Sequence, residues 1–410
     1  MPEQTERKRL IVVSMAFNRH LGSEPGKGYH WTTALSRIYD VHLIHAPEAR
    51  FDFEDANLSA VHRWPTEKGV SSWRGLGGYV EYYRWCGAVF KKCQMLLKQF
   101  PIAGLHHVTI GSFRLLPRYD RLGIPYSLGP LGGGEYTPKE ILPDCGLPFK
   151  ERLTERIRPI INRACVLQPG ISSVLKSAKR VIATTEETAE LLRIGGAGDV
   201  IVRFPDVFEP TARLDDIVLR RSGQCAEISR EMRIVWSGRG LWWKGGQIAI
   251  EFVRRLKAVG LPAHLHIYSN GPCIPIIRQK VSDASLDSNV TFHAPVPREE
   301  LLQIYLDSHL FVYPTLHDSS SSAIPEAYGT GLPSMTLGIG GVEVASSQNA
   351  GLNKRFPVLE DWFGAGVAMI RSWQENPQLW LEASRSALQK SADFSFSRLH
   401  SIVECDLSIY

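Results

Sequence analysis

No segment of this chain reaches the roughly 18 consecutive apolar residues that a membrane-spanning helix requires. The first apolar run, Leu10–Ala16, is short, and Asn18, Arg19 and His20 follow it where an export signal would carry small residues. Cysteine is sparse and unpaired: seven residues, at 86, 93, 145, 165, 225, 273 and 405, with no Cys-x-x-Cys. That excludes a disulfide framework and suits a reducing compartment. Nor does one sign of charge dominate, since 47 Lys and Arg stand against 42 Asp and Glu, a net of +5. So mild an excess does not announce a nucleic-acid binder, and no nucleic acid is expected as a partner. Low-complexity tracts and short-period repeats are missing too. These absences describe a cytoplasmic globular protein, with peripheral attachment to the inner face of a membrane left open.

What is present is ordinary bulk: 410 residues, 44% hydrophobic and 22% charged. That is material for two or three domains with large cores. Short β-branched runs alternate with longer helical patterns, the sign of parallel sheets built from βαβ units. In the first half, strands are predicted near Leu10–Ala16, Val41–His45, Ile102–His107, Tyr126–Leu128 and Arg180–Ala183, with helices at Tyr79–Lys98 and Phe149–Leu167. The polar stretch Arg220–Arg230 reads as a linker, after which the rhythm restarts. Strands then follow at Arg233–Ser237, Ala263–Tyr268, Val290–His293, Leu310–Tyr313 and Pro333–Leu337, with helices at Gly246–Val259, Arg298–Ser308 and Ala323–Thr330. The fold class is therefore α/β, with two doubly wound Rossmann-like domains facing across a cleft, over 1–210 and 228–392. Ligands of such sheets sit beyond the carboxyl ends of the strands.

Two glycine-rich segments follow predicted strands of the first half. Gly22-Ser-Glu-Pro-Gly26-Lys27-Gly28 fails the phosphate-loop pattern, with one residue too few between its glycines and Gly28 in place of Ser or Thr after the lysine. It fails the dinucleotide fingerprint for want of a third glycine. It is either a turn whose backbone approaches a ligand or a plain strand-to-helix connection. Gly129-Pro-Leu-Gly132-Gly133-Gly134-Glu135 places three consecutive glycines after a strand, where they serve a ligand-facing loop or a tight connection.

In the second half, Ser237-Gly238-Arg239-Gly240-Leu241-Trp242-Trp243-Lys244-Gly245-Gly246 follows one strand and opens a helix. Arg239 and Lys244 on such a loop can meet one anion, the fork of donors beside the compact charge suiting a diphosphate. The alternative is a solvated basic loop. Trp242 and Trp243 form either a platform for a base or sugar, or plain packing. Further on, Asp318 and the run Ser319, Ser320, Ser321 and Ser322 lead to Pro325 and Glu326. The serines offer N-caps, and Pro325 marks a first helical turn. Glu326 near a helix start either accepts ligand hydroxyls or caps. No Asp-x-Asp motif for a metal-bound diphosphate occurs.

Taken in order, Gly238-Arg239, Lys244-Gly245, Val290-Thr-Phe-His293, Arg298-Glu-Glu-Leu301, Phe311-Val-Tyr-Pro314, the frame Asp318 to Glu326, Gly331-Leu-Pro333 and Gly340-Gly341 resemble the nucleotide-binding domain of family-4 retaining glycosyltransferases of the GT-B fold, the bacterial group 1 enzymes. Ser23-Glu-Pro-Gly26-x-Gly28, His106-His107-Val-Thr109 and Gly129-Pro-Leu-Gly132-Gly-Gly-Glu135 resemble a bacterial branch of the same family. The resemblance implies a metal-independent hexosyltransferase that moves a sugar from a nucleotide sugar to a saccharide or lipid-linked acceptor in bacterial polysaccharide or glycan biosynthesis. No cofactor or metal is expected. By the same resemblance, Gly238, Arg239 and Lys244 hold the diphosphate, Glu326 takes the ribose, and Asp318 with Ser319–Ser322 approaches the donor sugar. Backbone at His293 and Ala294 meets the base. Gly26, Gly28, Gly132, Gly133, Gly134 and Glu135 form acceptor-side loops, and the last helix, about 393–410, packs back on the first domain.

Two departures stand out. Asp318 occupies a position where the family usually has Glu. A His that many relatives carry after the strand matching Tyr126–Leu128 is replaced by Gly129-Pro130. Either His106 or His107 fills that role from the preceding strand end, or backbone amides do; His107 is the candidate, or it is a satisfied core histidine. The departures admit a second class of function, a degenerate protein that binds nucleotide sugar or a partner without turnover. A sugar-nucleotide epimerase on a similar scaffold ranks third.

One segment points to a surface. Leu153, Ile157, Ile160, Ile161 and Ala164 recur at helical spacing within 149–164, among Lys150, Arg152, Arg156, Arg158 and Arg163, with only Glu151 and Glu155 as acids. Pro159 is expected to kink or break this helix. It lies on an anionic leaflet, or it packs by its apolar face with a solvated basic side.

Overall fold

The computed structural model describes residues 7–19, 23–47, 61–67, 69–70, 75–209 and 213–410. Gly22 lies outside them. The chain divides into two compact units: Met1–Gly134 with Pro159–Val207 and Ser395–Tyr410, and Glu135–Arg158 with Phe208–Phe394. The segment 135–158 thus groups with the second unit, although it lies within the 1–210 expected to form the first domain.

In the first unit, β1 (Arg9–Ser14), β2 (Asp40–His45), β3 (His62–Pro65), β4 (Ile102–Thr109), β5 (Tyr126–Leu131), β6 (Arg180–Ala183) and β7 (Val200–Val202) form a parallel sheet in the order β3-β2-β1-β4-β5-β6-β7. Successive side chains of β1 face opposite ways. Leu10 and Val12 enter a core with Trp31 and Leu35, while Ile11 and Val13 enter another with Leu105 and Leu128. A strand covered on both faces is apolar throughout, which is why Leu10–Ala16 reads as an unbroken run. The C-terminal helix Phe396–Leu407 lays Leu399, Val403 and Leu407 into the Leu10 core, and Tyr39 Oη donates to the Leu407 carbonyl at 2.7 Å.

The second unit repeats the plan. Strands β8 (Met232–Ser237), β9 (Ala263–Tyr268), β10 (Val290–His293), β11 (Leu310–Tyr313), β12 (Ser334–Thr336) and β13 (Gly351–Asn353) are parallel, in the order β10-β9-β8-β11-β12-β13. Strand order reverses between β1 and β4 in one sheet and between β8 and β11 in the other. Those reversals are where doubly wound sheets admit ligands.

Two expectations need correction. The proposed linker is largely helix, Leu214–Ile228. Its polarity is turned inward: the fully buried Arg221 donates to the carbonyls of Ser308 (2.6 Å), Tyr305 (2.9 Å) and Thr330 (3.0 Å), and Gln224 to that of Leu306 (2.8 Å). These acceptors lie at and after helix ends, where carbonyls lack intrahelical partners. Nor does Pro159 break its helix, which runs from Phe149 to Val166 with the proline inside. The helix is also inverted relative to packing by its apolar face. Glu155 and Asn162 are buried, while Phe149, Leu153, Ile157, Ile160 and Ile161 are exposed. Among the described residues no helix is long and apolar enough to cross a membrane.

Replacing a buried donor strands its acceptors, at about 1–3 kcal/mol for each group left unsatisfied. Arg221→Met should therefore lower the unfolding free energy by about 3 kcal/mol or more in urea titration. Arg220→Met, an exposed neighbour paired with Asp307, should stay within about 0.5 kcal/mol of the parent. Equal effects would refute the inward role of Arg221.

Candidate functional site

At the reversal of the second sheet, β8 and β11 run side by side, Leu310 opposite Ile234 and Phe311 opposite Val235. The chain leaves β8 through Gly238–Gly245 and β11 through Pro314–Ser322. Gly238 (φ 144°) and Gly245 (φ 77°) hold positive φ, which a side chain would resist. The Leu316 N–H donates to the Trp243 carbonyl at 2.8 Å and joins the two loops. Gly340 and Gly341 press on the second loop: a β-carbon on Gly340 would lie 2.8 Å from the Asp318 backbone carbonyl oxygen, and the Gly341 N–H donates to that carbonyl at 2.5 Å.

These loops bring Lys244 and Asp318 together. Lys244 Nζ donates to Asp318 Oδ2 at 2.6 Å and to Tyr313 Oη at 2.5 Å, and Tyr313 Oη lies 3.1 Å from the same carboxylate oxygen. The ammonium also sits 4.4 Å from the centre of the Trp243 ring. Burial by itself disfavours the lysine charge, but Tyr313 and Asp318 hold its pKa above the ordinary value. Burial pushes the Tyr313 hydroxyl up to about 12 against the pull of Lys244. Arg239 differs: it is exposed and, among the described residues, has no side-chain partner. One cation of the expected pair is open to an anion, and the other is already neutralised.

Glu326 lies in the first turn of the helix Ala323–Gly329 and accepts from Arg298 Nε at 2.8 Å. Ser322 precedes that helix without a side-chain cap, so the serine run does not cap as expected; Ser319 and Ser320 are half-buried and Ser321 buried. At the end of β10, His293 stacks on Tyr268 (4.3 Å, 7°) and meets His266 at 3.0 Å, while Ala294 is exposed.

Three contributors were not singled out from the sequence. In the sequence Tyr313 is part of a strand motif, His317 is an unmarked neighbour of Asp318, and Glu155 is a minority acid in a basic helix. Glu155 Oε2 lies 3.1 Å from His317 Nδ1, and the carboxylate also accepts from Thr137 Oγ1 (2.8 Å) and Arg158 Nη2 (3.1 Å). Burial opposes its ionisation, but His317, Arg158 and Thr137 hold its pKa at about 2. The His317 ring stacks on Trp243 (4.6 Å, 22°). Trp243 is thus occupied by protein rather than lying bare as a platform.

In the first unit, several candidates are structural. His107 is fully buried, its Nδ1 at 2.9 Å from Tyr119 Oη and its Nε2 at 3.1 Å from the Ile110 carbonyl, and burial lowers its pKa to about 4. With both nitrogens engaged inside the core, it cannot touch a substrate there. Gly26 and Gly28 lie within the helix Ser23–Ser36, not in a loop, and Gly28 has no room for a β-carbon against Ala16 and Ser14. Gly132, Gly133 and Gly134 make a tight connection. The Gly133 carbonyl accepts from Arg114 (2.7 Å) and Asn162 (3.0 Å), and the Gly134 N–H donates to Thr188 Oγ1 (3.1 Å). Glu135 groups with the second unit, its Cγ 3.0 Å from where a Gly340 β-carbon would stand. Asp40, His42 and His62 bring possible metal-ligand atoms within 4.8 Å of one another. Trp64 Nε1–H, however, donates to His42 Nδ1 at 3.1 Å, which leaves the neutral ring's proton on Nε2 and neither nitrogen free to ligate.

Residues 231–358 match the family model of "Glycosyl transferases group 1". Among curated proteins, the chain is 26% identical over 236 residues to a D-inositol 3-phosphate glycosyltransferase of Mycobacteroides abscessus, covering 56% of this chain and 51% of that protein. A Rhodococcus erythropolis protein of the same name is 24% identical over 245 residues, covering 54% and 52%. The matched region thus spans about half the length of these relatives. Solved structures agree over nearly the whole chain. Sucrose-phosphate synthase from Thermosynechococcus elongatus superposes with a TM-score of 0.65 at 13% identity, covering 97% of this chain and 98% of that one. Anabaena HepE in complex with UDP and glucose gives 0.60 at 12%, covering 98% and 100%. The fold is GT-B, two Rossmann-like α/β domains.

A carboxylate whose pKa is depressed by folding stabilises the protein above its unfolded value, near 4.5, and that contribution is lost as pH falls toward about 2. The difference corresponds to about 3 kcal/mol. Glu155→Gln should therefore be less stable than the parent at pH 6 and approach it by pH 2–3 in denaturant titrations. A gap that does not change with pH would show that Glu155 is not held ionised.

Proposed function

We propose, from the match of residues 231–358 to the group 1 glycosyltransferase family model within a GT-B fold, that this chain is a retaining, metal-independent transferase, moving a sugar from a nucleotide diphosphate sugar to a saccharide or lipid-linked acceptor. The observation that carries this reading is the placement of Arg239, Lys244 and Asp318 on the two loops leaving β8 and β11, where a doubly wound sheet takes its ligand. The exposed Arg239 offers a planar fork to the diphosphate, and Lys244 adds a fixed charge from the same loop. Negative charge grows on the departing nucleoside diphosphate in the transition state. Two cations and the N-terminus of the helix Gly246–Ala258 stabilise it there. Glu326, at a helix start, accepts the ribose hydroxyls, and backbone near His293 and Ala294 meets the base. Asp318 already neutralises Lys244, so an arriving phosphate shares the ammonium with it and the carboxylate is left to accept a sugar hydroxyl. Attack by the acceptor on the leaving-group face needs no obligatory protein nucleophile, so the burial of His107 does not stop the chemistry. That burial does favour a second reading, a protein that binds nucleotide sugar without turnover; donor hydrolysis or transfer to any acceptor decides between them.

The exposed apolar row Phe149, Leu153, Ile157, Ile160 and Ile161, flanked by exposed Lys150, Arg156 and Arg163, fits an anionic leaflet that presents a lipid-linked acceptor at the inner face of a membrane. Vesicles containing anionic lipid should pellet the protein at low salt, and Ile157→Asp with Ile160→Asp should leave it in the supernatant. Retention of the doubly substituted protein on vesicles sinks this assignment.

The donor reading is tested by thermal unfolding with UDP, GDP, ADP and their sugar conjugates in EDTA. At a concentration of about 100 times Kd, the fitting nucleotide should add about 2.7 kcal/mol, a rise of a few degrees in Tm. Arg239→Ala should abolish the rise. No shift with any of them refutes the transferase reading.

A further inference from the structure

Glu155 and His317 come from distant parts of the second unit and meet beside the Lys244–Asp318 pair. The Glu155 side chain is only 5% exposed and its oxygens are held by Thr137, Arg158 and His317. The contact is electrostatic, without an aligned hydrogen bond at Nδ1, and an ionised carboxylate at that distance favours the hydrogen on Nδ1, as carboxylates do when they orient a histidine ring. The stack on Trp243 fixes the ring plane. Trp243 is held in turn, since its carbonyl accepts from Leu316 N–H (2.8 Å) and Thr315 Oγ1 (3.2 Å). One nitrogen is left over: His317 Nε2 has no protein partner among the described residues, one residue before Asp318. A packing histidine needs no buried carboxylate on one nitrogen. Here Nδ1 lies 3.1 Å from an anchored carboxylate, while Nε2 has no hydrogen-bond partner among the described residues.

We infer that His317 is a donor-site residue, its Nε2 hydrogen-bonding a hydroxyl of the transferred sugar beside Asp318, with Glu155 as the positioning residue that aims it. The inference rests on the transferase reading above and adds a contact to the sugar as distinct from the diphosphate.

The test is calorimetric titration of the whole chain with the nucleoside diphosphate that raises its Tm and with the sugar conjugate of the same nucleotide, together with donor hydrolysis rates. His317→Phe keeps a ring to stack on Trp243 and removes both nitrogens. It should leave the affinity for the free diphosphate within twofold and weaken the sugar conjugate, or lower kcat/KM for donor hydrolysis, by about tenfold. Glu155→Gln, which keeps the His317 ring in place, should move the same quantities in the same direction by less. Equal weakening of both ligands would assign His317 to the diphosphate and overturn the sugar contact. Unchanged values for both in His317→Phe overturn the inference and leave the transferase reading standing. If the parent binds none of the nucleotides, both readings fall together.

Discussion

The second unit is organised around one ion pair, the Lys244 ammonium against the Asp318 carboxylate, with the Tyr313 hydroxyl bonded to both. Desolvating two charges is expensive, and the cost is offset only when geometry and further hydrogen bonds are good. Here they are, because two loops from adjacent parallel strands are locked to each other around the pair. Positive-φ glycines at 238 and 245 turn the first loop, Leu316 ties the second to Trp243, and Gly340-Gly341 lies against the backbone of Asp318. The pair is also what leaves Arg239 as the unspent cation. A site that presented both cations bare would bind any anion. One that neutralises the deeper of the two keeps a smaller net attraction and a carboxylate able to recognise hydroxyls.

The helix Phe149–Val166 shows what such polar anchoring costs elsewhere. Its inward residues are Glu155 and Asn162, each with several partners: Thr137, Arg158 and His317 for the first, Arg114 and the Gly133 carbonyl for the second. A helix has one inner face. Because polar groups occupy it, the large apolar residues at 149, 153, 157, 160 and 161 are left to solvent. The same turn of the helix therefore explains both the buried carboxylate near the site and the apolar row outside.

Much of the second unit was legible in the sequence because periodicity and punctuation agree there. Strands at 263–268, 290–293 and 310–313 stand where the alternation of short apolar runs and helical patterns put them, and Arg239, Lys244 and Asp318 lie beyond strand ends as the fold requires. Two of the misreadings have a common cause. The linker at Arg220–Arg230 and the packing of the basic helix by its apolar face both follow from local polarity, on the assumption that polar residues face water, whereas the break at Pro159 follows from the missing N–H of proline. Arg221, Glu155 and Asn162 break that assumption, since each is paid for by partners far away in sequence. Strands β3 and β13 are short and carry little apolar content, and β7, though wholly apolar, is only three residues long, so none of them gives a strand pattern of its own.

The histidines show where chemistry can emerge in such a sheet. His106 and His107 are consecutive on the central strand β4, so they point to opposite faces. His106 stacks on Trp31 in one core, and His107 packs on Tyr119 in the other. A residue inside a strand covered on both faces has nowhere to go but a core, whatever its side chain. His317 is the reverse case. It lies past the end of β11, on a loop, where one nitrogen can be anchored inward while the other stays free. Position relative to the strand's end, more than residue type, separates a satisfied core histidine from one able to meet a ligand.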